Sequence, residues 1–272
     1  MSQSPAHFAI RTLRVLEVLA CTPATASGIA DALLIHPRRA RRLLSQLQRD
    51  GWLSFRHGAD ERVYAPTLRF VALAAEVAAR APLTTMTASA LEQLHAATGR
   101  PALLTIPGYR GTVCVARCVG EHGAQAAVAA VSPAHCTAAG KVLLAHRDVW
   151  RRSVLATPLV RCTERTATDP SALARELDRV RHQGYALEDE EHLDGVSAAA
   201  APVAGPGGSV LAAMSVVAWN SRLLDRDVEE VRAAAGRASE AVAAAPERYG
   251  LDPRIGRRLL AWYGLAPVDA YL

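Results

Sequence analysis

Four arginines occupy the five consecutive positions of the segment Arg38-Arg39-Ala40-Arg41-Arg42. The guanidinium group is a planar, permanently charged fork that donates paired hydrogen bonds to phosphate oxygens or to the O6/N7 edge of guanine. A helix that carries such a segment is therefore suited to the major groove of DNA. A solvated basic face is the plainer interpretation of an isolated charge run, and the elements around the segment decide between the two.

Cysteine and histidine side chains indicate metal chemistry as a second possibility. Cys114 and Cys118 would share one face of a strand, and His135-Cys136 could complete a set of ligands. Buried cysteines, however, commonly serve as small apolar residues, so we expect no metal. The cysteines are an odd number in distant segments, which indicates reduced thiols rather than a disulfide framework: Cys21, Cys114, Cys118, Cys136 and Cys162.

A cysteine-dependent enzyme is a third possibility, with Cys136 as the nucleophile and the acidic run 188–191 as its helper. Adjacent residues point in different directions, so His135 cannot simply activate Cys136. We interpret the acidic run as a solvated loop in which Glu188 could still contact a ligand. The glycine-rich segment 205–208 is interpreted as a turn between strands and not as a phosphate-binding loop. The sequence thus predicts no catalytic residue and no cofactor.

The formal net charge of +5 is distributed unevenly over the 272 residues. Residues 1–80 contain eleven arginines and six acidic residues, whereas residues 81–272 contain twenty basic and twenty acidic residues. This asymmetry indicates a module that binds a polyanion, joined to a neutral domain with another task. Every basic residue except Lys141 is an arginine, so part of the arginine enrichment reflects composition.

Length and hydropathy restrict the class of protein further. Half of the residues are apolar, and the length suffices for two domains with cores of their own. No run of about 18 apolar residues is present, and the amino terminus lacks a basic segment followed by an apolar stretch and a cleavage site. We therefore expect a cytoplasmic protein without membrane contact.

Helical periodicity and capping residues predict three helices at the amino terminus. Residues 10–19 form one apolar helical stripe, and Thr25 or Ser27 caps a second helix. A third helix extends from Pro37, which is preset for a first helical turn, to about Asp50.

The third helix is predicted to be amphipathic and to precede a hairpin. Its apolar positions recur at helical spacing and face inward: Ala40, Leu43, Leu44 and Leu47. The four arginines are left outward together with Ser45 and Gln46. Two short strands at 52–56 and 62–65 form a hairpin after this helix. Three helices followed by a hairpin predict a winged helix-turn-helix.

The remaining chain predicts a connector and a mixed domain. A helix at 67–80 connects the two parts. Further helices are predicted at 83–98, 137–146, 149–156 and 170–183. A final helix, capped by Asp225, is predicted to end at about residue 245. Strands are predicted at 102–107, 112–119, 125–131, 197–203 and 209–218. Strands and helices without strict alternation indicate an α+β sensor domain with a largely antiparallel sheet. No function is assigned to the tail 246–272.

Several motifs, in order and spacing, resemble those of the IclR-type bacterial transcriptional regulators over roughly positions 6–250. The amino-terminal motifs are Thr12-Leu13-Arg14-Val15-Leu16, Ile29-Ala30, Arg42-Leu43-Leu44-Ser45-Gln46-Leu47, Gly51-Trp52-Leu53 and Tyr64. The later motifs are His135-Cys136-Thr137-Ala138-Ala139-Gly140-Lys141, Gly184-Tyr185-Ala186 with Glu190-Glu191, and Gly195-Val196 with Ala200-Ala201-Pro202-Val203. The later motifs, at these separations, are the more specific part of the resemblance.

The resemblance implies both a fold and a function. The implied fold is α+β, with a winged helix-turn-helix at 1–66, a connector helix at 67–82, a GAF-like α/β effector-binding and oligomerisation domain at 83–250, and an extension at 251–272. The implied function is regulation by a homodimer or homotetramer that binds a pseudo-palindromic operator in double-stranded DNA. The second domain would sense a small molecule, an organic acid or an aromatic metabolite, and would change operator affinity through the connector.

The resemblance also indicates which residues contact DNA. Arg42 matches the usual arginine of the family's recognition helix, whereas Arg38 and Arg39 stand where small hydroxyl residues are common. We expect these two to contact base edges, and Arg41 and Arg42 to be shared between groove and phosphate. For the hairpin residues, plain surface charge is the alternative. The predicted DNA-binding residues are Ser27, Arg38, Arg39, Arg41, Arg42, Gln46, Arg56, His57 and Arg62.

The predicted effector pocket departs from the family pattern. Ala198 replaces a common cysteine, Val217 replaces one of two serines, and Glu188 replaces an aspartate, while Ser215 is retained. Because lost polar groups leave an apolar lining, we expect a larger or more apolar effector than a small carboxylate, with a vestigial pocket as the alternative. The predicted effector-binding residues are Ala138, Ala139 and Gly140, at a helix amino terminus that favours anions, and Glu188, Ala198, Ser215 and Val217.

Overall fold

The computed structural model describes residues 12–16, 18–20, 22–80, 82–108, 111–120, 131–220, 223 and 225–244. The chain forms two compact units, Met1–Arg80 and Ala81–Leu272. The predicted extension 251–272, and the predicted strand 125–131 apart from its last residue, lie outside the described residues. None of the described helices combines the length and the apolar character needed to cross a lipid bilayer.

Capping groups set the helix boundaries of the first unit. Helix α1 comprises the helical residues 12–16 and 18–20, and it is followed by strand β1 (Ala24–Thr25) and helices α2 (Ala26–Leu33) and α3 (Pro37–Arg49). The Thr25 hydroxyl caps α2 by accepting a hydrogen bond of 3.1 Å from Gly28 N. Pro37 opens α3 as predicted, and His36 Nδ1 accepts from Arg38 N at 3.2 Å.

Helix α3 has one buried and one exposed face, as its periodicity predicted. The buried face forms one core with residues of α1 and α2 and consists of Ala40, Leu43, Leu44 and Leu47. The four arginines, Ser45 and Gln46 are exposed. The apolar stripe therefore packs the helix against its unit, and the basic residues are left outside the core.

An antiparallel sheet completes the first unit. The chain continues from α3 with strands β2 (Leu53–His57) and β3 (Arg62–Pro66) and with helix α4 (Arg69–Arg80). Strands β2 and β3 form the predicted hairpin, in which His57 pairs with Arg62. Strand β1 pairs with β3 through Ala24 and Tyr64, and it was not predicted because two residues are too few to show an alternating pattern. Helix α4 lies within the predicted connector.

The second unit is built on one six-stranded sheet. Its strands are β4 (Ala102–Pro107), β5 (Thr112–Cys118), β6 (Val131–Ser132), β7 (Ala186–Asp189), β8 (Val196–Ala204) and β9 (Val210–Trp219). They lie in the order β6-β5-β4-β9-β8-β7, and every pairing is antiparallel. The predicted α+β class with a largely antiparallel sheet is confirmed. The segment 205–208 is the predicted turn, between β8 and β9, whereas β7 was not predicted.

Helices cover both faces of this sheet. They are α5 (Pro82–Thr98), α6 (Ala138–Ala145), α7 (Asp148–Leu155), α8 (Pro170–Gln183) and α9 (Asp225–Ala243). In β8, Ala199 and Ala201 pack with α5 and α9, whereas Ala198 and Ala200 pack with α6, α7 and α8. Successive side chains of a strand point to opposite faces, so a strand covered on both sides is apolar throughout. Asp225 lies inside the first turn of α9 and not before it as predicted.

A buried ammonium group joins three segments of the second unit. Lys141 of α6 is fully buried, and its Nζ donates to Glu176 Oε1 at 2.7 Å, to Glu191 Oε1 at 2.5 Å and to Leu187 O at 3.2 Å. Burial opposes the charged form, but the carboxylates of Glu191 and Glu176 outweigh this effect and raise the pKa of Lys141 above its usual value. The lysine is therefore an internal cross-link between α6, α8 and the β7 region.

Substitution of Lys141 by methionine should lower the free energy of unfolding by about 3–5 kcal/mol, because Glu191 is left in the interior without its partner. Arg181→Met is the matched control. The Arg181–Asp148 pair is 3.2 Å long and about half exposed, so its loss should cost less than about 1 kcal/mol. Urea unfolding followed by circular dichroism measures both values. Equal losses in the two variants would contradict the role assigned to Lys141.

Candidate functional site

The exposed face of α3 presents four guanidinium groups. Arg38, Arg39, Arg41 and Arg42 are all exposed, and within the part of the chain that the structure describes none of them forms an ion pair. Unpaired guanidinium groups in water are available to phosphate oxygens and to base edges. The structure thus places these four predicted DNA contacts together, on the side of α3 that faces away from the core.

Gln46, another predicted DNA contact, is hydrogen-bonded near the end of the same helix. Its Nε2 donates to both carboxylate oxygens of Asp50 at 3.1 Å, and Arg49 donates to its Oε1 at 2.7 Å. A contact between Gln46 and DNA would require these bonds to be exchanged.

The three predicted hairpin contacts lie near the turn between β2 and β3. Arg56 and His57 are exposed on β2, and Arg62 is exposed on β3. The guanidinium carbon of Arg62 lies 4.4 Å from the centre of the Phe55 ring, and the His57 ring meets the same ring edge-on at 5.5 Å. The cation–π contact orients Arg62 at the surface of the hairpin.

A carboxylate occupies the amino terminus of α2, where Ser27 was predicted to contact DNA. Glu61, at the hairpin turn, accepts hydrogen bonds from the Ser27 hydroxyl and, at 3.4 Å, from Ser27 N. The hydroxyl groups of Ser27 and then Thr25 lower the pKa of Glu61. Because helix amino termini are common phosphate-binding positions, Glu61 stands where a DNA phosphate would have to approach Ser27.

The second unit contains a pocket between the sheet and the beginning of α6. The enclosed part of the pocket has a volume of about 70 Å³, and the rest of its space is open to solvent at the mouth. Its apolar lining includes Leu103, Leu193, Val196, Ala198 and Val217. Its polar lining includes Thr105, Thr112, Ser132, Glu188, His192 and Ser215. The pocket thus combines an apolar interior with hydrogen-bonding groups from several strands.

Six of the seven residues predicted to bind an effector line this pocket: Ala138, Ala139, Glu188, Ala198, Ser215 and Val217. Gly140, the seventh, is not among the lining residues. A Cβ atom at Gly140 would lie 2.1 Å from Ala134 O. Glycine is therefore required here for the close packing of α6.

Glu188 is buried on strand β7, whereas the acidic run was predicted to be a solvated loop. Its carboxylate accepts hydrogen bonds from Ala138 N and His192 N, both at 3.3 Å. Burial raises the pKa of Glu188 to about 7, against the opposing effect of the hydrogen bond from Ala138. Because side chains alternate along a strand, Glu188 points inward while Leu187 and Asp189 are exposed.

Several polar residues of the pocket were not predicted. Thr105, Thr112 and Ser132 lie on β4, β5 and β6, and His192 lies in the loop after β7. Thr105 interrupts the otherwise apolar segment 102–107, and this interruption could have indicated a polar residue of the pocket. The pairing of Thr112 with Ser132 joins distant segments of the chain, which hydrophobic periodicity does not report.

The surroundings of Cys136 do not favour cysteine-dependent catalysis. His135 Nε2 lies 2.9 Å from Val160 O and is hydrogen-bonded to that carbonyl group. Burial and, after it, the neighbouring Cys162 raise the pKa of Cys136. The thiol is therefore protonated near neutral pH, and a protonated thiol is a weak nucleophile.

Known proteins similar to this chain are transcriptional regulators. The family model of the bacterial transcriptional regulator IclR C-terminal domain matches residues 75–244. The probable transcriptional regulator SauR of Cupriavidus necator is 30% identical over 222 residues, which cover 79% of this chain and 87% of that protein.

Solved structures of similar fold cover most of the chain. An IclR transcriptional regulator from Alicyclobacillus acidocaldarius has a TM-score of 0.71 and 26% identity, over 89% of this chain and 100% of that one. An IclR homologue from Microbacterium hydrocarbonoxydans, solved in complex with 4-hydroxybenzoate, has a TM-score of 0.67 and 26% identity, over 85% of this chain and 97% of that one.

Proposed function

Because the chain belongs to the IclR family of bacterial transcriptional regulators, we propose that it binds operator DNA through its first unit and a small effector through its second. The first unit acts as a winged helix-turn-helix, with α3 as the recognition helix and the β2–β3 hairpin as the wing. A homodimer or homotetramer supplies the two winged helices that a pseudo-palindromic operator requires. Effector binding shifts operator affinity and so represses or activates transcription.

The exposed guanidinium groups of α3 are the observation that carries the DNA-binding proposal. The four arginines form no ion pair with the described residues, although the charge of Arg41 contributes to the lowered pKa of Glu61. Residues 1–80 hold the whole excess of positive charge. Recognition helices contact base edges mainly through their amino-terminal residues. Arg38 and Arg39, in the first turn of α3, are therefore proposed to contact bases, and Arg41 and Arg42 to share phosphate contacts.

The pocket supports an effector with an apolar body and a hydroxyl group. Leu103, Val196, Ala198 and Val217 line it and suit a ring, while Glu188 offers a buried acceptor to a hydroxyl donor. A small carboxylate ligand suits the end of the pocket near Glu188 less well, because the Glu188 carboxylate already accepts a hydrogen bond from Ala138 N at the beginning of α6. Since a structural relative was solved with 4-hydroxybenzoate, an aromatic hydroxy acid is the first probe, with its carboxylate toward the pocket mouth.

Arg38→Ala and Arg39→Ala should each weaken operator binding by about 1–3 kcal/mol and should reduce the preference for operator over random duplex. Arg237→Ala removes the same charge from an exposed position on α9, and this control should leave both affinities unchanged. The operator is located by footprinting the protein's own promoter, and fluorescence anisotropy at several salt concentrations measures the affinities. An equal loss of affinity for the operator and for the random duplex would show that the two arginines contact phosphates and not bases.

Glu61→Ala should strengthen DNA binding, because it removes a carboxylate from the amino terminus of α2 and makes the Ser27 N–H and hydroxyl available to a phosphate. Asp60→Ala is the control, since it removes an equal charge from the next position of the same turn. The same anisotropy titrations at low salt should show the larger gain for Glu61→Ala. If the two variants gained the same affinity for DNA, the contact between Glu61 and Ser27 would have no part in DNA binding.

4-Hydroxybenzoate should raise the melting temperature of the wild-type protein, whereas glyoxylate and pyruvate should not. Ala198→Leu fills the pocket and should abolish the shift while leaving DNA binding without effector intact. Val217→Thr adds a hydroxyl group and should increase the response to the small oxo acids. A larger shift with glyoxylate or pyruvate in the wild type would refute the proposed effector class. A sensor that responds to none of these acids, with a reporter that is equally insensitive, would support a vestigial pocket.

A further inference from the structure

Three metal-ligating side chains from distant segments meet beside the pocket. Cys136 precedes α6, Cys162 lies between α7 and α8, and His192 lies between β7 and β8. One ligand atom from each lies within 4.8 Å of the other two. Of the cysteines considered for a metal site from the sequence, Cys136 belongs to this group, whereas Cys114 and Cys118 do not.

The distance between the two sulfur atoms fits a shared metal ion. Cys136 Sγ and Cys162 Sγ are 3.8 Å apart, whereas a disulfide bond is about 2.05 Å long. Two thiolates bound to one tetrahedral zinc ion at about 2.3 Å lie about 3.8 Å from each other. The loops therefore hold the two sulfurs at the spacing that zinc requires.

His192 provides a second and independent observation. Its Nδ1 is buried, and it has no hydrogen-bond partner among the residues that the structure describes. Buried ring nitrogens normally have a partner, so a buried nitrogen without one points to a missing ligand. Coordination of an ion through this nitrogen would supply that partner.

The loop that carries His192 also brings negative charge to the cluster. Glu188 Oε1 accepts a hydrogen bond from His192 N at 3.3 Å. The neighbouring Glu191 has a buried Oε2 to which the described residues offer no hydrogen bond, although its other oxygen accepts from Lys141. Two carboxylates close to two thiols favour a cation at this position over an anion.

We propose that Cys136, Cys162 and His192 bind one zinc ion, with the fourth position left to water or to an effector atom from the pocket that His192 also lines. Thiolate sulfur and imidazole nitrogen are ligands that zinc prefers, and three protein ligands with one open position are typical of zinc sites that bind a further molecule. The effector contact depends on the proposed function, whereas binding of the ion itself does not.

The ion would also join three loops around the pocket. It connects the segment before α6 with the α7–α8 loop and with the β7–β8 loop, each of which contributes one ligand. Metal binding to a preformed set of ligands stabilises the folded state, because the unfolded chain does not bring the three residues together. Zinc is therefore expected to raise the melting temperature of the second unit.

A cobalt(II) titration of the full chain, stripped of metal and free of any histidine tag, tests the site. Cobalt(II) replaces zinc in such ligand sets, and its thiolate charge-transfer and tetrahedral d–d absorptions identify sulfur ligands and geometry. The wild type is expected to bind about one ion per chain, with both absorptions, and added zinc should abolish them.

Single variants assign the ligands. Cys162→Ser and His192→Ala should each lose the tetrahedral spectrum and the zinc-dependent rise in melting temperature, and Cys162 is exposed, so serine there should not disturb the fold. Cys118→Ser is the matched control, because it removes a thiol outside the cluster, and its spectrum should equal that of the wild type.

Three outcomes would overturn the zinc site. The first is a wild type without the cobalt absorptions, which would leave Cys136 and Cys162 as thiols that bind no metal. The second is a spectrum that persists in the Cys136→Ser/Cys162→Ser double variant. The third is a protein mass lower by two hydrogens without any cobalt spectrum, which would assign the pair to a disulfide. A missing 4-hydroxybenzoate shift together with a normal cobalt spectrum would refute only the proposed effector.

Discussion

One buried ammonium group joins two segments that line the pocket, the beginning of α6 and the β7 region, to helix α8. Lys141 Nζ contacts Glu176 on α8, Glu191 after β7 and the backbone oxygen of Leu187 on β7. A buried cation is tolerated only where carboxylates compensate for its lost hydration, so these segments cannot separate without leaving a charge in the interior. Glu188 and His192, which line the pocket, are direct neighbours in sequence of two of these partners. The position of both side chains therefore depends on Lys141.

The beginning of α6 sets which hydrogen-bonding groups face the pocket. Thr137 caps the helix by accepting from Gly140 N at 3.3 Å, and Gly140 packs against the backbone of Ala134. Glu188 accepts from Ala138 N, so this donor of the helix end is already bonded to a carboxylate. A new anion would have to replace Glu188 or lie beside its charge, whereas a hydroxyl donor can bind to it directly. Local packing thus makes this end of the pocket more suitable for a hydrogen-bond donor than for an anion.

Hydrophobic periodicity predicted those helices and strands whose buried residues recur at regular spacing along the sequence. The third helix buries the four residues that the period assigned to its inner face: Ala40, Leu43, Leu44 and Leu47. Strand β7 was missed because it buries Glu188 between the exposed Leu187 and Asp189, which inverts the usual alternation of apolar inside and polar outside. Cys162 and His192 join Cys136 only through tertiary contacts between loops, and such contacts leave no periodic pattern in the sequence.

The two units differ in how their functional residues relate to packing. In the first unit the arginines of α3 lie outside the core, so a change at Arg38 or Arg39 should have little effect on stability. In the second unit Glu188 is both buried and hydrogen-bonded, and its replacement would leave donors of the surrounding backbone without a partner. Ala198 and Val217 are different, because apolar lining residues need no partner. Exchanges at these two positions can therefore change the lining of the pocket while the bonds that hold the pocket remain in place.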